Sequence, residues 1–260
     1  PTGRTFIGGL FREANDAAGI EYWDGNLQST DIQNLDLRYE VFPSLGQTVS
    51  IGAFYKFFEN PIEIIQFTTQ ANAFQPRNVG DGEVLGAELE IRTGLDLISE
   101  KLRRFSLSMN VTVTESRIKL SETEYRSRLA NRREGQEIDE YRAMAGQAPL
   151  IINTGISFNG TDKGFLENLQ AGLFYNVQSS TLKYVGIVDR PDIYTVAFHS
   201  INFNATKQFG TDNRMSLGLK VDNILDDARE EVFQSYNAED QIFTRLLPGR
   251  TVSLSYSYQF

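Results

Sequence analysis

The sequence predicts an all-β protein, an antiparallel transmembrane β-barrel. Three observations predict it. Nine stretches alternate apolar and polar residues with period two, which gives each strand one apolar and one polar face. Short turns and long polar connections succeed each other along the chain, the layout that gathers all long loops at one end of a barrel. No apolar run reaches the ~18 residues a crossing helix needs.

The terminal stretch shows the design most plainly. Val252, Leu254, Tyr256, Tyr258 and Phe260 share one parity; Thr251, Ser253, Ser255, Ser257 and Gln259 share the other. Its length suits a tilted crossing of ~9–11 residues. Upstream, residues 1–30 carry the weakest pattern. Thr5–Leu10 reads as a short strand. Phe11–Thr30, rich in Asn, Asp and Gly, reads as a long loop, with Trp23 in it as packing anchor or ligand contact.

Leu35, Leu37, Tyr39 and Val41 oppose Asn34, Asp36, Arg38 and Glu40. After a Pro-Gly turn at 42–47, Thr48–Phe58 sets Val49, Ile51, Ala53, Tyr55 and Phe57 on one face. Its other face mixes Ser50, Gly52 and Lys56 with Phe54 and Phe58. Ile62–Phe67 prolongs this hairpin before a loop at 68–81. Leu85–Leu97 alternates Leu85, Ala87, Leu89 and Ile91 with Gly86, Glu88, Glu90 and Arg92. Phe105–Thr114 alternates without exception. The charged stretch 119–147 holds Ser121-Glu122-Thr123-Glu124, which resembles a capping box and predicts a short helix. Leu150–Phe158, Leu169–Val177, Tyr194–Phe209 and Met215–Val221 complete the set. Tyr194–Phe209 changes parity near His199, which predicts a β-bulge. Asn223–Leu247 reads as a long loop. The gaps 42–47, 99–103, 159–168 and 210–214 are short, and 68–81, 119–147, 179–193 and 223–247 are long.

Composition excludes several functions. The net charge of −9 offers no general basic surface for nucleic acid. With no Cys there is neither a disulfide framework nor a Cys metal site. His199 is the single histidine, so neither a zinc site nor a catalytic triad is expected, and no cofactor is implied. The acidic stretches Asp222–Asp227 and Asn237–Asp240 fit no EF-type spacing and read as solvated surface. Arg126, Arg128, Arg132 and Arg133 are expected to pair with Glu122, Glu124 and Glu134. The polar strand faces carry Asp36, Arg38, Glu40, Glu88, Glu90, Arg92, Lys220 and Asp222, the candidate lumen-lining residues. A charge on the lipid face costs roughly 2–4 kcal/mol at mid-membrane. Arg in place of Leu107 or Leu217 is therefore expected to hurt assembly, and Arg in place of Ser108 or Ser216 is not.

The run Asp31-Ile32-Gln33-Asn34-Leu35-Asp36-Leu37-Arg38-Tyr39-Glu40, with Phe42-Pro43-Ser44, Ser50-Ile51-Gly52-Ala53-Phe54-Tyr55-Lys56 and Asn60-Pro61-Ile62-Glu63, resembles the barrel of TonB-dependent outer-membrane receptors of the Bacteroidetes type. Gly86-Ala87-Glu88-Leu89-Glu90, Gly146-Gln147-Ala148-Pro149 and Gly249-Arg250 with terminal Phe260 fit the same family. The resemblance implies a bacterial outer-membrane location and a barrel of ~22 strands with a plugged lumen. Residues 1–260 would supply its C-terminal nine or ten strands, with a plug and N-terminal barrel outside them. It implies import of a scarce nutrient (a metal chelate, glycan or peptide) powered from the inner membrane through TonB, and no enzyme activity. The partners it implies are outer-membrane lipid, the N-terminal barrel and plug, TonB, the barrel-assembly machinery and a surface lipoprotein. Tyr256, Tyr258 and Phe260 would be the assembly signal. The charged lumen residues would form an ion-pair network, meet the plug or line a substrate path. The chain begins at Pro1 without Met or leader, so a leader was removed or the chain is a piece of a longer one. The alternatives are a complete ten-stranded outer-membrane enzyme or adhesin, and a soluble β-sandwich binding module.

Overall fold

The computed structural model describes residues 13–15, 20–23, 27–66, 73–161 and 163–260. β1 (Glu13–Asn15) and β2 (Ile20–Trp23) form a small hairpin. β3 (Asp31–Val41) and β4 (Thr48–Glu59) open a large sheet, and β5 (Ile62–Gln66) and β6 (Phe74–Asn78) form a hairpin outside it. β7 (Gly82–Gly94) and β8 (Phe105–Lys119) return to the sheet. Helix α1 (Glu122–Ala130) and β9 (Tyr141–Arg142) follow. β10 (Leu150–Asn159) and β11 (Leu169–Gln178) rejoin it, and β12 (Thr181–Tyr184) and β13 (Asp192–Thr195) leave it. β14 (Phe198–Phe209) and β15 (Met215–Asp222) come back, β16 (Arg229–Gln234) and β17 (Gln241–Leu246) depart, and β18 (Thr251–Tyr258) ends the chain's strands.

The large sheet runs β3-β4-β7-β8-β10-β11-β14-β15-β18, every neighbour antiparallel. β9 extends it by pairing with the far end of β8. The sheet is not closed, and β3 and β18 are its two edges. All four long connections leave from one end. They carry the β5–β6 hairpin, α1, and a four-stranded sheet ordered β12-β13-β16-β17.

Period-two alternation survives across the register. Leu37, Ala53, Ala87, Val113 and Leu150 align side by side on the apolar face, and Arg38, Gly52, Glu88 and Thr112 on the polar one. The apolar face is bounded by polar groups. At its loop end the Tyr55 hydroxyl donates to Glu83 Oε2 at 3.0 Å, and Arg117 pairs with Glu83 at 2.5 Å. Further along, Tyr175 and His199 meet at 2.7 Å. At the turn end the Phe105 and Phe158 rings stand 5.0 Å apart, and Lys207 turns its ammonium to the Phe165 carbonyl. Ten residue steps from Phe105 to Glu115, at ~3.4 Å each and a tilt of ~40°, climb about 26 Å, which matches the ~25 Å apolar band of an outer-membrane wall.

Glycines let lumen-facing rings lie flat. Phe174 covers Gly155 on the adjoining strand, where an added Cβ would fall 2.3 Å from the ring; Phe54 covers Gly86 at 2.2 Å. Gly155→Ala is therefore expected to cost about 1–3 kcal/mol through displaced packing. Gly52→Ala, whose Cβ would meet nothing nearer than 3.5 Å, should be close to neutral. Urea unfolding from lipid vesicles measures both, and equal midpoint shifts would reject the packing argument.

The buried apolar cluster lies among the loops. Ile65, Val79, Val84, Ile118, Met144, Leu182, Val185 and Ile187 pack together, flanked by Phe54, Phe58 and Tyr194. The long connections thus form a cap with its own core, seated on the polar face at the loop end of the wall.

Several expectations need correction. Tyr194–Phe209 is two strands rather than one bulged strand: the parity changes because the chain leaves the cap at Thr195 and enters the wall at Phe198. The loop expected at 68–81 contains β6, and that at 223–247 contains β16 and β17. Leu85–Leu97 starts at Gly82 and ends at Gly94, where a 3-10 turn takes over. Phe11–Thr30 contains the β1–β2 hairpin. Thr5–Leu10 falls outside the described residues. The helix expected from the capping box is α1, and Ser121 Oγ accepts from the Glu124 amide at 3.2 Å.

Candidate functional site

The candidate site is the polar face of the wall together with the cap above it. On β3, β4 and β7 the polar positions are charged. Ser50 and Gly52 on the middle strand are small, and Arg38 reaches across it to Glu90, Nη2 to Oε2 at 2.7 Å. Arg38 Nε also meets Glu40 at 2.5 Å. Ser50 is buried beneath this bridge. Asp36, Glu88 and Arg92 stand on the same face, with no ion-pair partner among the described residues. Lys220 and Asp222 pair at 2.9 Å on β15, next to the opposite edge. The eight predicted residues are therefore two groups at opposite sides of the sheet.

Between the groups the polar face is neutral. Asn110, Asn153 and Asn176 are in register across β8, β10 and β11. Asn176 Nδ2 donates to Asn153 Oδ1 at 2.8 Å, and Asn202 Nδ2 to Asn176 Oδ1 at 3.5 Å. Asparagine at a polar position of each of these strands is the sequence signal for this amide row.

The cap holds a buried ionic chain that local reading captured only in part. Glu63 of β5, Arg142 of β9, Glu124 and Arg128 of α1 and Asp192 of β13 alternate in sign. The contacts are Arg142 Nη2–Glu63 Oε2 at 2.6 Å, Arg142 Nε–Glu124 Oε1 at 2.7 Å, Arg128 Nε–Glu124 Oε1 at 3.1 Å and Arg128 Nη2–Asp192 Oδ1 at 3.0 Å. The Glu63 Oε2 contact is ionic and poorly aimed as a hydrogen bond. Glu63 Oε1 accepts from the Ala145 amide at 2.6 Å, and Asp192 Oδ1 from the Gly186 amide at 2.7 Å. Side-chain exposure is 8% for Arg142, 3% for Glu63 and 6% for Glu124. Burial works against the Arg142 charge, but the carboxylates of Glu124 and Glu63 outweigh it and hold its pKa above the ordinary value. Arg128 is raised in the same way: burial opposes, Asp192 and Glu124 prevail. The expected i,i+4 pairs Glu122–Arg126 and Glu124–Arg128 are present. Arg133 instead donates to the Tyr236 carbonyl at 3.2 Å.

The remaining candidates find other uses. Asp227 accepts from the amides of His199 and Ala228 at 2.8 and 3.0 Å. Asp226 lies 3.9 Å from Arg250. Among the described residues no group of His, Asp and Glu is arranged to hold a metal. Tyr256 and Tyr258 project from the apolar parity of the edge strand β18, and Tyr258 meets Phe260 at 5.0 Å between ring centres.

An up-and-down antiparallel wall with an apolar band, a polar inner face and all long loops at one end defines a bacterial outer-membrane β-barrel protein. The chain belongs to the outer membrane protein β-barrel family, whose profile matches residues 11–258. Among solved structures it is similar to the unliganded ferric citrate transporter FecA, with a TM-score of 0.59, 17% identity and coverage of 88% of this chain and 31% of that one. The ferric yersiniabactin uptake receptor FyuA from Yersinia pestis gives 0.58, 16%, 89% and 30%, and the copper transporter OprC 0.57, 15%, 89% and 32%. No curated protein sequence matches the chain. The similar structures have the fold of TonB-dependent receptor barrels, and the chain spans about a third of their length.

Proposed function

We propose that this chain is the C-terminal part of the barrel of a TonB-dependent outer-membrane transporter that imports a scarce nutrient. One observation carries the reading: nine consecutive wall strands form an unclosed sheet that covers about a third of the solved receptor structures it resembles. In this reading the short turns face the periplasm and the cap faces outward. An N-terminal barrel pairs with the edges β3 and β18. A plug fills the lumen against Asp36, Arg38, Glu40, Glu88, Glu90, Arg92, Lys220 and Asp222. TonB supplies energy through the N-terminal region, and a surface lipoprotein can seat on the cap. Tyr256, Tyr258 and Phe260 serve as the signal for the barrel-assembly machinery. The chain's role is wall and capture surface, not catalysis.

A denaturing gel of outer membranes, probed with an antibody to the C-terminal segment, tests this. The expected band is several times the 29.4 kDa of this chain. A band near 29.4 kDa that runs faster unheated would overturn the transporter reading in favour of a small complete barrel.

A further inference from the structure

A niche of about 600 Å³ lies where the cap meets the wall. Its floor is the loop end of the polar face: Asn153, Asn176, Gln178 and Ser200. Its roof is the cap sheet, through Lys183 of its edge strand β12 and Arg229, Glu230 and Glu231 at the start of β16. That volume is in the range of small-molecule sites, ~300–1,000 Å³.

The charges lining it are unevenly partnered. Glu231 is paired with Lys183, and Glu230 with Arg245 at 2.7 Å. Nearby Asp227 is held by two backbone amides. Arg229 has no carboxylate partner among the described residues. Its guanidinium sits over the Phe198 ring, 4.8 Å from the centroid, and the residue is exposed. In a chain with 34 acidic and 25 basic residues, a lining arginine that rests over a ring while its neighbours hold carboxylates leaves an anion unprovided for. The cation–π contact tethers the guanidinium, whose N–H fork suits a planar bidentate acceptor. The floor adds amide donors, among them Asn153 Nδ2, since Asn153 Oδ1 already accepts from Asn176.

We propose that this niche binds a carboxylate group of the ligand, with Arg229 as its bidentate partner, Phe198 as the platform that orients Arg229, and the Asn153–Asn176 pair as flanking donors. Glu230 and Glu231 in the same lining repel a dianion more than a monoanion, which favours carboxylate over phosphate. The proposal deepens the receptor reading and depends on it for its biological role.

Arginine-selective labelling with phenylglyoxal tests it on the full chain in outer-membrane vesicles, with peptide mass mapping at Arg229 and at Arg126 as reference. Butyrate, its neutral amide and inorganic phosphate are the protecting probes, at the millimolar levels expected of a single charge-assisted contact. Butyrate should slow labelling of Arg229 about tenfold relative to Arg126 at saturation, and the amide and phosphate should leave it near the unprotected rate. In the Phe198→Leu variant, protection by butyrate should fall several-fold. Absence of protection, equal protection by the amide, or protection by phosphate as strong as by butyrate overturns the carboxylate site. Unchanged protection in Phe198→Leu removes the platform role. The gel reads the mass of the polypeptide and the labelling reads protection at one residue, so the two tests fail separately.

Discussion

Replacing Arg142 with Ala should unfasten the cap and leave the wall standing. Arg142 lies between Glu63 and Glu124, all three nearly inaccessible. Truncation would leave two carboxylates buried without their cation, a loss of about 3–5 kcal/mol for a buried pair broken from one side. The chain also joins three separate connections, since Glu63, Glu124 and Asp192 come from different loops. Arg126→Ala removes an exposed i,i+4 pair with Glu122, of a kind worth about 0.3–0.5 kcal/mol. Limited proteolysis of outer-membrane vesicles reads the difference. Arg142→Ala should gain cleavage within 60–81 and 120–149 while the wall fragments stay protected, and Arg126→Ala should digest like the parent. Equal resistance of the two variants would show that the ionic chain does not hold the cap.

The second large effect is expected at the centre of the apolar band. Leu219→Arg places a cation between Ala205 and Leu254 on the apolar face of β14 and β18. Val111→Arg does the same midway along β8, between Phe105 and Arg117. Each should cost roughly 2–4 kcal/mol at the bilayer midplane. Leu107 lies one outward position from Phe105, and Leu217 lies beside Lys207; both are close to the turn-end boundary, where the cost falls to about 0–1 kcal/mol. The graded pairs Val111 with Leu107 and Leu219 with Leu217 therefore test depth as well as face. Ser216→Arg points the same charge at the polar side and loses only the hydroxyl contact with Ser257 at 2.6 Å. Folding yield into lipid vesicles, scored by heat-modifiable migration, should fall for Val111→Arg and Leu219→Arg, little for Leu107→Arg and Leu217→Arg, and not for Ser216→Arg. Indistinguishable yields for Leu219→Arg and Ser216→Arg would invalidate the facing.

The wall was legible in the sequence because a strand between lipid and a wet lumen must alternate without interruption. Phe105–Thr114 did so, and the structure only lengthened it to Lys119. The cap strands were not legible, for two physical reasons. They are short, and several are covered on both sides: in β5 and β12 polar Glu63, Gln66 and Thr181 are as buried as Ile65 and Leu182. Burial of both parities erases period two. The Tyr194–Phe209 parity change fits a bulge in sequence as well as a strand break, because one apolar run spans the passage from cap to wall. The candidate site divided in the same way. Glu124–Arg128 follows from helical spacing, whereas Arg128–Asp192 and Arg142–Glu63 join positions 64 and 79 residues apart, beyond any local pattern. Residues sharing a polar parity were identified as lumen-lining, but the separation of Lys220–Asp222 from Arg38–Glu90 needed the strand order.

The placement of the apolar core among the loops divides the molecule between two solvents. The wall owes its order to lipid and to strand pairing, whose strength changes little when water is perturbed. The cap owes its order to water, so its cohesion carries the thermal signature of apolar hydration: a positive heat capacity of melting, weakening in the cold, and sensitivity to urea. Cooling or mild denaturant is thus expected to loosen the cap before the wall, and a calorimetric heat-capacity step under those conditions should report the state of the cap rather than of the wall.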